Sequence, residues 1–309
     1  MKVIHDIREF EPKGKVVLTQ GTFDGVHFGH KKILKQVVSE AKKVEGESIL
    51  LTFYPHPRLV LYPDDNDLKL LTTIEEKVEL VQALGIDYLI ILPFTKELSR
   101  IRAGEFVRDI LVEQLCVSKL IIGYDHRFGR NREGGLVEMM NYSKVFDFEV
   151  QEISAQDIEE SIVSSTKIRE ALLNGNVHLA NNYLEKNYVI RGKVEEGLQR
   201  GTGIGFPTAN IRVNSSFKLI PKNGVYAVWV YIEEIKFAGM LNIGYNPTFE
   251  DKKWSVEVHI FDFSQNVYHK EISIEFVARL RDEQKFDGSE ALVTQLREGE
   301  KEIRALLEV

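Results

Sequence analysis

The chain has 309 residues, of which 43% are hydrophobic and 28% are charged, and its formal net charge is −7 at pH 7. This length predicts about two globular domains with sizeable cores. The acidic balance disfavours binding of nucleic acid through bulk charge, although a local basic patch stays open, and a single cysteine excludes a disulfide framework.

The N-terminal residues lack the apolar core of a signal peptide, and no run approaches the roughly 18 apolar residues of a membrane span. We therefore expect a cytoplasmic protein without a membrane partner, and the acidic balance leads us to expect no nucleic-acid partner. The expected oligomeric state is a monomer or a weak homo-oligomer. The single cysteine, Cys116, stands between Leu115 and Val117, which predicts a buried thiol.

A strand, a glycine-containing turn and a helix open the first half of the chain. Residues 16–19 are apolar and mostly β-branched, and apolar side chains recur at helical spacing over residues 33–44. Between them stands Gly-Thr-Phe-Asp-Gly-Val-His-Phe-Gly-His, residues 21–30. Free N–H groups and a positive helix dipole at this corner predict a site for a nucleotide phosphate.

Two histidines of this turn, His27 and His30, can face one object if both lie in the first helical turn. Gly29 lets the backbone come close to a ligand. A metal pair and two surface histidines are the alternatives, but zinc needs a third ligand and the other histidines are scattered. In its strand-to-helix context the motif resembles the nucleotidyltransferase superfamily, whose histidines stabilise charge on the α-phosphate of ATP as pyrophosphate leaves.

Strands alternate with helices through the rest of the first half. Strands are predicted at residues 48–53, 88–92, 120–122 and 148–150, and helices at 73–84, 106–115, 136–143 and 178–184. Thr73 and Glu76 have the spacing of a capping box. Such a pattern predicts a parallel sheet covered on both faces, with ligands at the carboxyl ends of its strands. The loops 21–30, 54–57 and 123–130 begin there.

The loop 123–130 offers a carboxylate and a guanidinium between glycines. Asp125 and Arg127 either close a tight loop as an ion pair or shape a nucleotide pocket, and their place after a strand favours the pocket.

Three consecutive hydroxyls precede a helical pattern that starts near residue 166. A single hydroxyl would suffice as an N-cap. Ser164, Ser165 and Thr166, followed by Lys167 and Arg169, offer more donors than a cap needs, so we expect them to hold the β- and γ-phosphates.

The pattern changes near residue 186, where strands follow one another without helices. They are predicted at residues 188–194, 225–232, 237–243, 255–261 and 272–278, and a last helix at 289–307. Glycine and proline turns between short strands are typical of a small antiparallel barrel or sandwich. The domains are therefore predicted as residues 1–185 and 186–309.

Two stretches of the second half suit phosphates and metal ions. Four glycines crowd ahead of Phe206, namely Gly197, Gly201, Gly203 and Gly205. Turns account for such a cluster as often as phosphates do. Thr208 and Asn210 follow Pro207, and on a strand their side chains would share one face. They are hard oxygen ligands, suited to Mg²⁺ that arrives with a nucleotide.

Residues 254–260 alternate, so that Glu257 and His259 share one face of a strand and the apolar residues share the other. The pattern alone leaves Glu257 open between a solvated edge residue and a functional carboxylate.

Two motif sets carry a resemblance across nearly the whole chain. The first half resembles the FMN adenylyltransferase module of bacterial bifunctional riboflavin kinase/FAD synthetases, through the turn 21–30 and through Y-P-H-P, G-Y-D-H-R-F-G and S-S-T-K-I-R. The second half resembles their riboflavin kinase module, through G-F-P-T-A-N, N-I-G-Y-N-P-T-F and V-E-V-H. The chain departs at Tyr54, His126 and Thr202, where the family usually has Asp, Phe and a basic residue.

The resemblance implies an α/β Rossmann-like nucleotidyltransferase domain, followed by a six-stranded antiparallel β-barrel of riboflavin kinase type with a C-terminal helix. It implies that riboflavin and ATP give FMN and ADP, with Glu257 as general base and Mg²⁺ on Thr208 and Asn210. FMN and ATP then give FAD and pyrophosphate, a step that needs alignment and charge stabilisation rather than a strong base.

The predicted site residues fall into two sets. The adenylyltransferase set has His27 and His30 as catalytic residues and binds ATP through Gly21, Phe23, Asp24, Gly29, Asp125, Arg127, Ser164, Ser165, Thr166 and Arg169. The kinase set has Glu257 as catalytic residue and binds ATP through Gly197, Gly203, Gly205, Pro207, Thr208 and Asn210.

Three other classes of protein fit the sequence less well. Intact Glu257, Thr208 and Asn210 disfavour a single-activity adenylyltransferase whose barrel only binds flavin. Both histidines of the turn disfavour a non-enzymatic flavin sensor, and the acidic balance disfavours a nucleic-acid-linked transferase.

Overall fold

The computed structural model describes residues 1–64, 68–124, 126–153, 163–197, 200–245 and 254–309. Asp125, the side chain of Thr202 and residues 246–249 of the N-I-G-Y-N-P-T-F motif lie outside the described residues. The chain forms two compact units, Met1–Ser165 and Thr166–Val309. The division of the activities between residues 185 and 186 stays a prediction. No helix within the described ranges is long and apolar enough to cross a membrane.

The first unit is built on a parallel sheet of six strands. The strands are β1 (Lys2–Ile4), β2 (Val16–Gln20), β3 (Glu47–Tyr54), β4 (Tyr88–Pro93), β5 (Val117–Gly123) and β6 (Glu149–Ile153). The helices are α1 (Phe28–Lys43), α2 (Pro57–Leu61), α3 (Ile74–Ala83), α4 (Ala103–Glu105), which continues into a π-helix (Phe106–Gln114), and α5 (Leu136–Phe146). The predicted alternation of strands and helices is confirmed.

Both faces of this sheet are covered, which explains why its strands are apolar without alternation. Every residue of β2 is buried. Val17 packs in a cluster with Leu34 of α1, whereas Leu18 packs in a second cluster with Phe106 on the opposite face. Burial on both faces is the property expected of a parallel sheet between helical layers.

The strand order β1-β4-β3-β2-β5-β6 changes direction between β2 and β5. The chain passes from β2 to β3 and β4 on one side and later from β5 to β6 on the other. Ligands of α/β sheets bind at such a point, beyond the carboxyl ends of the two strands. The loops that leave β2 and β5 are the predicted loops 21–30 and 123–130.

The thiol of Cys116 is exposed, so the prediction of a buried thiol was wrong. Cys116 has a φ of 49° in the turn between the π-helix and β5. Its neighbours Leu115 and Val117 are buried, and the turn directs the side chain between them outward.

The second unit contains a closed barrel of six antiparallel strands. The strands are β7 (Tyr188–Glu195), β8 (Ala209–Val213), β9 (Gly224–Ile232), β10 (Ile235–Gly244), β11 (Ser255–Ile260) and β12 (Glu271–Arg281). Their order around the barrel is β10-β11-β8-β7-β12-β9. Helices α6 (Ser165–Leu173) and α7 (Val177–Leu184) precede the barrel, and α8 (Ser289–Leu307) ends the chain.

The barrel confirms the six strands that the resemblance implies, whereas the strand pattern alone gave five. The missing strand is β8, a short strand that follows Pro207. Helix α8 has the predicted bounds, and its Ile303 and Leu307 pack in one hydrophobic cluster with Val225 and Met240 of the barrel.

Candidate active sites

The turn after β2 has an unusual backbone. Phe23 and Val26 have φ angles of 45° and 42°, and Gly25 has a φ of 85°. Residues other than glycine rarely adopt this left-handed region, so surrounding contacts must hold Phe23 and Val26 there. The N–H of Gly21 donates to the carbonyl of Leu51 at 3.0 Å, which fixes the start of the turn on β3.

The carboxylate of Asp24 supplies the main contact inside the turn. It is 3% exposed and accepts hydrogen bonds from the N–H groups of Leu71 and Thr72 at 3.0 Å and from the Thr72 hydroxyl at 3.1 Å. The same hydroxyl accepts from the N–H of Gly25 at 3.1 Å. Asp24 thus joins the turn to the segment ahead of α3, and its role toward ATP stays a prediction.

His27 and His30 lie at the start of α1, as the motif predicts. His27 is the N-cap and His30 is the third residue of the helix. Their rings stack with centroids 3.7 Å apart, and the Phe23 ring lies 4.7 Å from the ring of His30. Among the described residues, no group of three or more His, Cys, Asp or Glu side chains of the kind that holds a metal ion occurs.

His30 is a neutral imidazole near pH 7. Burial lowers its pKa well below the ordinary 6.5, and the neighbouring His27 and Lys77 lower it further. A neutral imidazole carries one N–H and one acceptor nitrogen. Nδ1 of His30 is buried and has no hydrogen-bond partner within the described part of the chain.

Lys77 is a buried cation beneath this turn that the motifs did not reveal. It is 7% exposed, and its Nζ donates to the carbonyl of Thr22 at 2.7 Å and to the Thr52 hydroxyl at 3.4 Å. Burial lowers its pKa to about 8, partly offset by the charge of Asp24. At pH 7 the ammonium therefore remains mostly protonated. Its helical spacing from Ile74 was a signal of its burial.

One of the three consecutive hydroxyls at residues 164–166 contacts the turn 21–30. The Ser165 hydroxyl donates to the carbonyl of Asp24 at 2.9 Å, and Ser164 is exposed. Thr166 and Arg169 follow on α6, in the second unit. Contacts of Thr166 and Arg169 with phosphates stay a prediction.

His126 links the loop after β5 to the end of β2. Its Nε2 lies 2.9 Å from Nε2 of Gln20, and its ring stacks with Phe128 at 5.9 Å. Burial lowers the pKa of His126 to about 4, with Arg132 as a further cause. The neutral ring forms a hydrogen bond between the loop after β5 and the end of β2. The guanidinium of Arg127, whose side chain is exposed, lies against Gly135.

Glu257 lies in a row of polar residues across three strands of the barrel. The register pairs it with Asn210 of β8 and Asn242 of β10, so the three side chains share one face. Its carboxylate accepts from the Ser255 hydroxyl at 2.7 Å and from the Thr208 hydroxyl at 3.2 Å. Because β11 is paired on both sides, Glu257 is not a residue of a free sheet edge.

The glycine cluster ahead of β8 divides into packed and open positions. Gly197 lies against the carboxamide of Asn210, where no β-carbon would fit. The carbonyl of Gly201 accepts from the N–H of Phe206 at 2.9 Å. Gly203 and Gly205 are exposed, and Gly205 has a φ of 83°. The open positions suit close approach of a ligand to the backbone.

Comparison with known proteins identifies two family models in the chain. The FAD synthetase model matches residues 9–167, and the riboflavin kinase model matches residues 184–307. The bifunctional riboflavin kinase/FMN adenylyltransferase of Listeria monocytogenes is 39% identical over 290 residues, which cover 94% of this chain and 91% of that protein.

Two further similar proteins match this chain over almost its full length. The bifunctional riboflavin kinase/FMN adenylyltransferase of Bacillus subtilis is 35% identical over 311 residues, covering 98% of this chain and 97% of that protein. A crystal structure described as a macrolide-efflux protein from Streptococcus pneumoniae is 31% identical, with a TM-score of 0.88 and 98% coverage of each chain.

Proposed function

This chain belongs to the family of bifunctional riboflavin kinases/FMN adenylyltransferases, and we propose which of its side chains carry each reaction. The protein phosphorylates riboflavin to FMN with ATP and then adenylylates FMN to FAD with release of pyrophosphate. We assign adenylyl transfer to residues 1–185 and phosphorylation to residues 186–309.

Glu257 is the proposed general base of the kinase step. A ribityl hydroxyl is a poor nucleophile at neutral pH, and a carboxylate within hydrogen-bond reach removes its proton as the phosphoryl group is transferred. The observation that supports this role is the pair of hydroxyl contacts, from Ser255 and Thr208, on the two oxygens of Glu257. A carboxylate that already accepts from hydroxyls is suited to accept from a third one.

Thr208 and Asn210 are the proposed holders of Mg²⁺. The donor set fits a hard cation, because the Thr208 hydroxyl contacts the carboxylate of Glu257 and Asn210, with its carboxamide, is the register partner of Glu257 on the neighbouring strand. Packing against Gly197 fixes the Asn210 carboxamide. When bound, the ion would neutralise charge on the phosphates of ATP.

The histidine turn is the proposed adenylyl-transfer site. The phosphate of FMN is already anionic, so the site needs to align two phosphates and to stabilise charge. His27 and His30 lie at the positive end of α1, and the ammonium of Lys77 lies beneath the same turn. Ser164 and Ser165 are assigned to the departing pyrophosphate, and Asp125, Thr166 and Arg169 are kept in this set on the sequence motifs.

Riboflavin, FMN and ATP are thus the substrates, and ADP, pyrophosphate and FAD leave the protein. Both steps need ATP, which supports a cytoplasmic location. We also expect no nucleic-acid or membrane partner and a monomer or weak homo-oligomer. Sedimentation of the pure protein at micromolar concentration tests the oligomeric state.

The decisive experiment supplies each flavin separately. Pure protein with riboflavin, ATP and Mg²⁺ should give FMN first and FAD later, and added FMN should give FAD directly, as measured by chromatography. Conversion of FMN without any consumption of riboflavin would indicate a barrel that only binds flavin. Consumption of neither flavin would indicate a sensor.

A further inference from the structure

His259 lies two residues after Glu257 on the same face of β11. Its Nδ1 is 2.7 Å from the carbonyl oxygen of Pro207. A carbonyl can only accept, so Nδ1 carries the proton and donates. This contact joins the C-terminal part of β11 to the residue immediately before Thr208.

The imidazole is held in place by two aromatic rings. The Phe206 centroid lies 5.1 Å from the His259 centroid with an interplanar angle of 60°, and the Phe261 centroid lies at 5.7 Å with an angle of 57°. Phe206 and Phe261 are 7% and 2% exposed. The ring orientation, and with it the direction of the Nδ1–H bond, is therefore set by packing.

The segment 206–208 connects this histidine to both parts of the kinase site. On one side, the N–H of Phe206 donates to the carbonyl of Gly201 in the glycine cluster ahead of β8. On the other side, Thr208 donates its hydroxyl to Glu257. A shift of the Pro207 carbonyl would thus move the glycine cluster and the Thr208 hydroxyl together.

We propose that His259 is a positioning residue of the kinase site, which holds the Pro207 carbonyl and thereby keeps Thr208 and Asn210 in place for the metal–ATP complex. The inference rests on the proposed function of the barrel. Two side chains of β11 hold this segment: Glu257 accepts from the Thr208 hydroxyl, and His259 donates to the Pro207 carbonyl. The bond to Glu257 changes during the reaction, because Glu257 takes a proton. The bond from His259 involves no reacting group, so it persists through the turnover.

Three variants separate this hydrogen bond from the rest of the side chain. In His259→Asn the amide nitrogen is separated from Cα by the same number of bonds as Nδ1, so the donor is kept. His259→Gln places its amide nitrogen one bond further out, where Nε2 was. His259→Leu has a similar size to Asn and no donor, and all three lose the aromatic ring equally.

The first measurement is the initial rate of FMN formation against the concentration of Mg²⁺–ATP at saturating riboflavin. The second needs no turnover: it is the Kd of Mg²⁺–ADP, the product of the kinase step, by calorimetry, which should rise in His259→Leu and His259→Gln and not in His259→Asn. We expect His259→Leu and His259→Gln to lower kcat/KM for Mg²⁺–ATP by about tenfold or more, the size of a lost hydrogen bond together with displaced metal ligands. His259→Asn should stay within about threefold of the unmodified protein. Formation of FAD from added FMN should stay within about twofold in every variant.

Equal losses in His259→Asn and His259→Leu would overturn the proposal, because the ring and not the donor would then matter. Activity near the unmodified level in all three would also overturn it. Should His259→Leu fail to fold, as judged by thermal unfolding, the comparison of Asn with Gln decides, since both carry an amide. Absence of FMN formation by the unmodified protein would instead reject the proposed function and the inference with it.

Discussion

Asp24 of the first unit and Glu257 of the second carry the same chemical group in opposite surroundings. The Asp24 carboxylate is buried and accepts from two backbone N–H groups and one hydroxyl, which belong to residues 71 and 72. The Glu257 carboxylate is partly exposed and accepts from two side-chain hydroxyls. Backbone N–H groups can break these hydrogen bonds only if the main chain moves, whereas a side-chain hydroxyl can rotate away from the carboxylate.

This contrast matches what each reaction requires. Transfer to the FMN phosphate needs no strong base, so the carboxylate of the first unit can serve the backbone, while His27 and His30 are the groups proposed to face the phosphates. Transfer to an alcohol needs a base, so the carboxylate of the second unit must stay available. The comparison therefore predicts that Asp24 and Glu257 respond differently to the same change from carboxylate to amide.

Replacement of the proposed base should have the largest effect. Glu257→Gln is expected to lower the rate of FMN formation by about 10²–10⁴-fold, the usual contribution of a general base. FAD formation from added FMN should stay within about twofold. Chromatographic separation of the flavins measures both rates.

Glu275→Gln is the matched control for this variant. Glu275 is also a partly buried glutamate on a barrel strand, and its carboxylate accepts from the Tyr231 hydroxyl at 3.3 Å. Both activities should survive this change. A Glu257→Gln protein that still makes FMN at a near-normal rate would remove Glu257 from the role of base.

His30→Ala should have the next largest effect, on the other reaction. Loss of one group that stabilises charge in the transition state costs about 10²–10³-fold in rate, so FAD synthesis should fall by that factor while FMN formation continues. His5→Ala, at an exposed histidine of the same unit, is the control. A parallel fall of both activities in His30→Ala would argue against two separate sites.

The parts of the fold that could be predicted from the sequence are those set by neighbours along the chain. The capping box of Thr73 and Glu76 is confirmed by both of its hydrogen bonds, and α8 has its predicted bounds because its apolar positions recur over five turns. Strand β8 was missed because only its pairing with β7 and β11 makes it a strand. The outward turn at Cys116 depends on a backbone angle that no pattern reveals.

The candidate sites divide in the same way. The histidine pair and the pair Thr208 and Asn210 are close in sequence, so a motif contains them. The contact of Asp24 with Thr72 joins residues 48 apart, and that of Gln20 with His126 joins residues 106 apart. Such partners are set by the way the strands associate. The motif therefore identified Asp24 as a candidate site residue but gave no sign that its carboxylate accepts hydrogen bonds from backbone N–H groups.

Asp24→Asn tests the structural side of the comparison. The amide keeps one acceptor oxygen but directs its NH₂ group at backbone donors, so the free energy of unfolding of the ligand-free protein should fall by about 2–3 kcal/mol. Denaturant unfolding measures this loss. Asp109→Asn, which removes an ion pair with Arg108 at the surface, should change it by less than about 1 kcal/mol. Unchanged stability of Asp24→Asn together with lost FAD synthesis would make Asp24 an ATP contact rather than a structural residue.

His126→Phe is expected to have the smallest effect, and one that appears only in acid. The pKa of His126 is about 4 in the folded protein and about 6.5 in the unfolded chain, so between these pH values the unfolded state binds more protons and stability falls as the pH is lowered. The phenyl ring keeps the stacking on Phe128 and does not titrate. From pH 7 to pH 5, the difference in free energy of unfolding between His126→Phe and the unmodified protein should therefore shift by about 1–2 kcal/mol in favour of the variant. His30, whose pKa is also lowered, leaves a residual slope in both proteins. Gln20→Leu, which removes the partner but keeps the imidazole, should retain most of the acid loss. Equal slopes in His126→Phe and the unmodified protein would show that the imidazole at this position is protonated as readily in the fold as outside it.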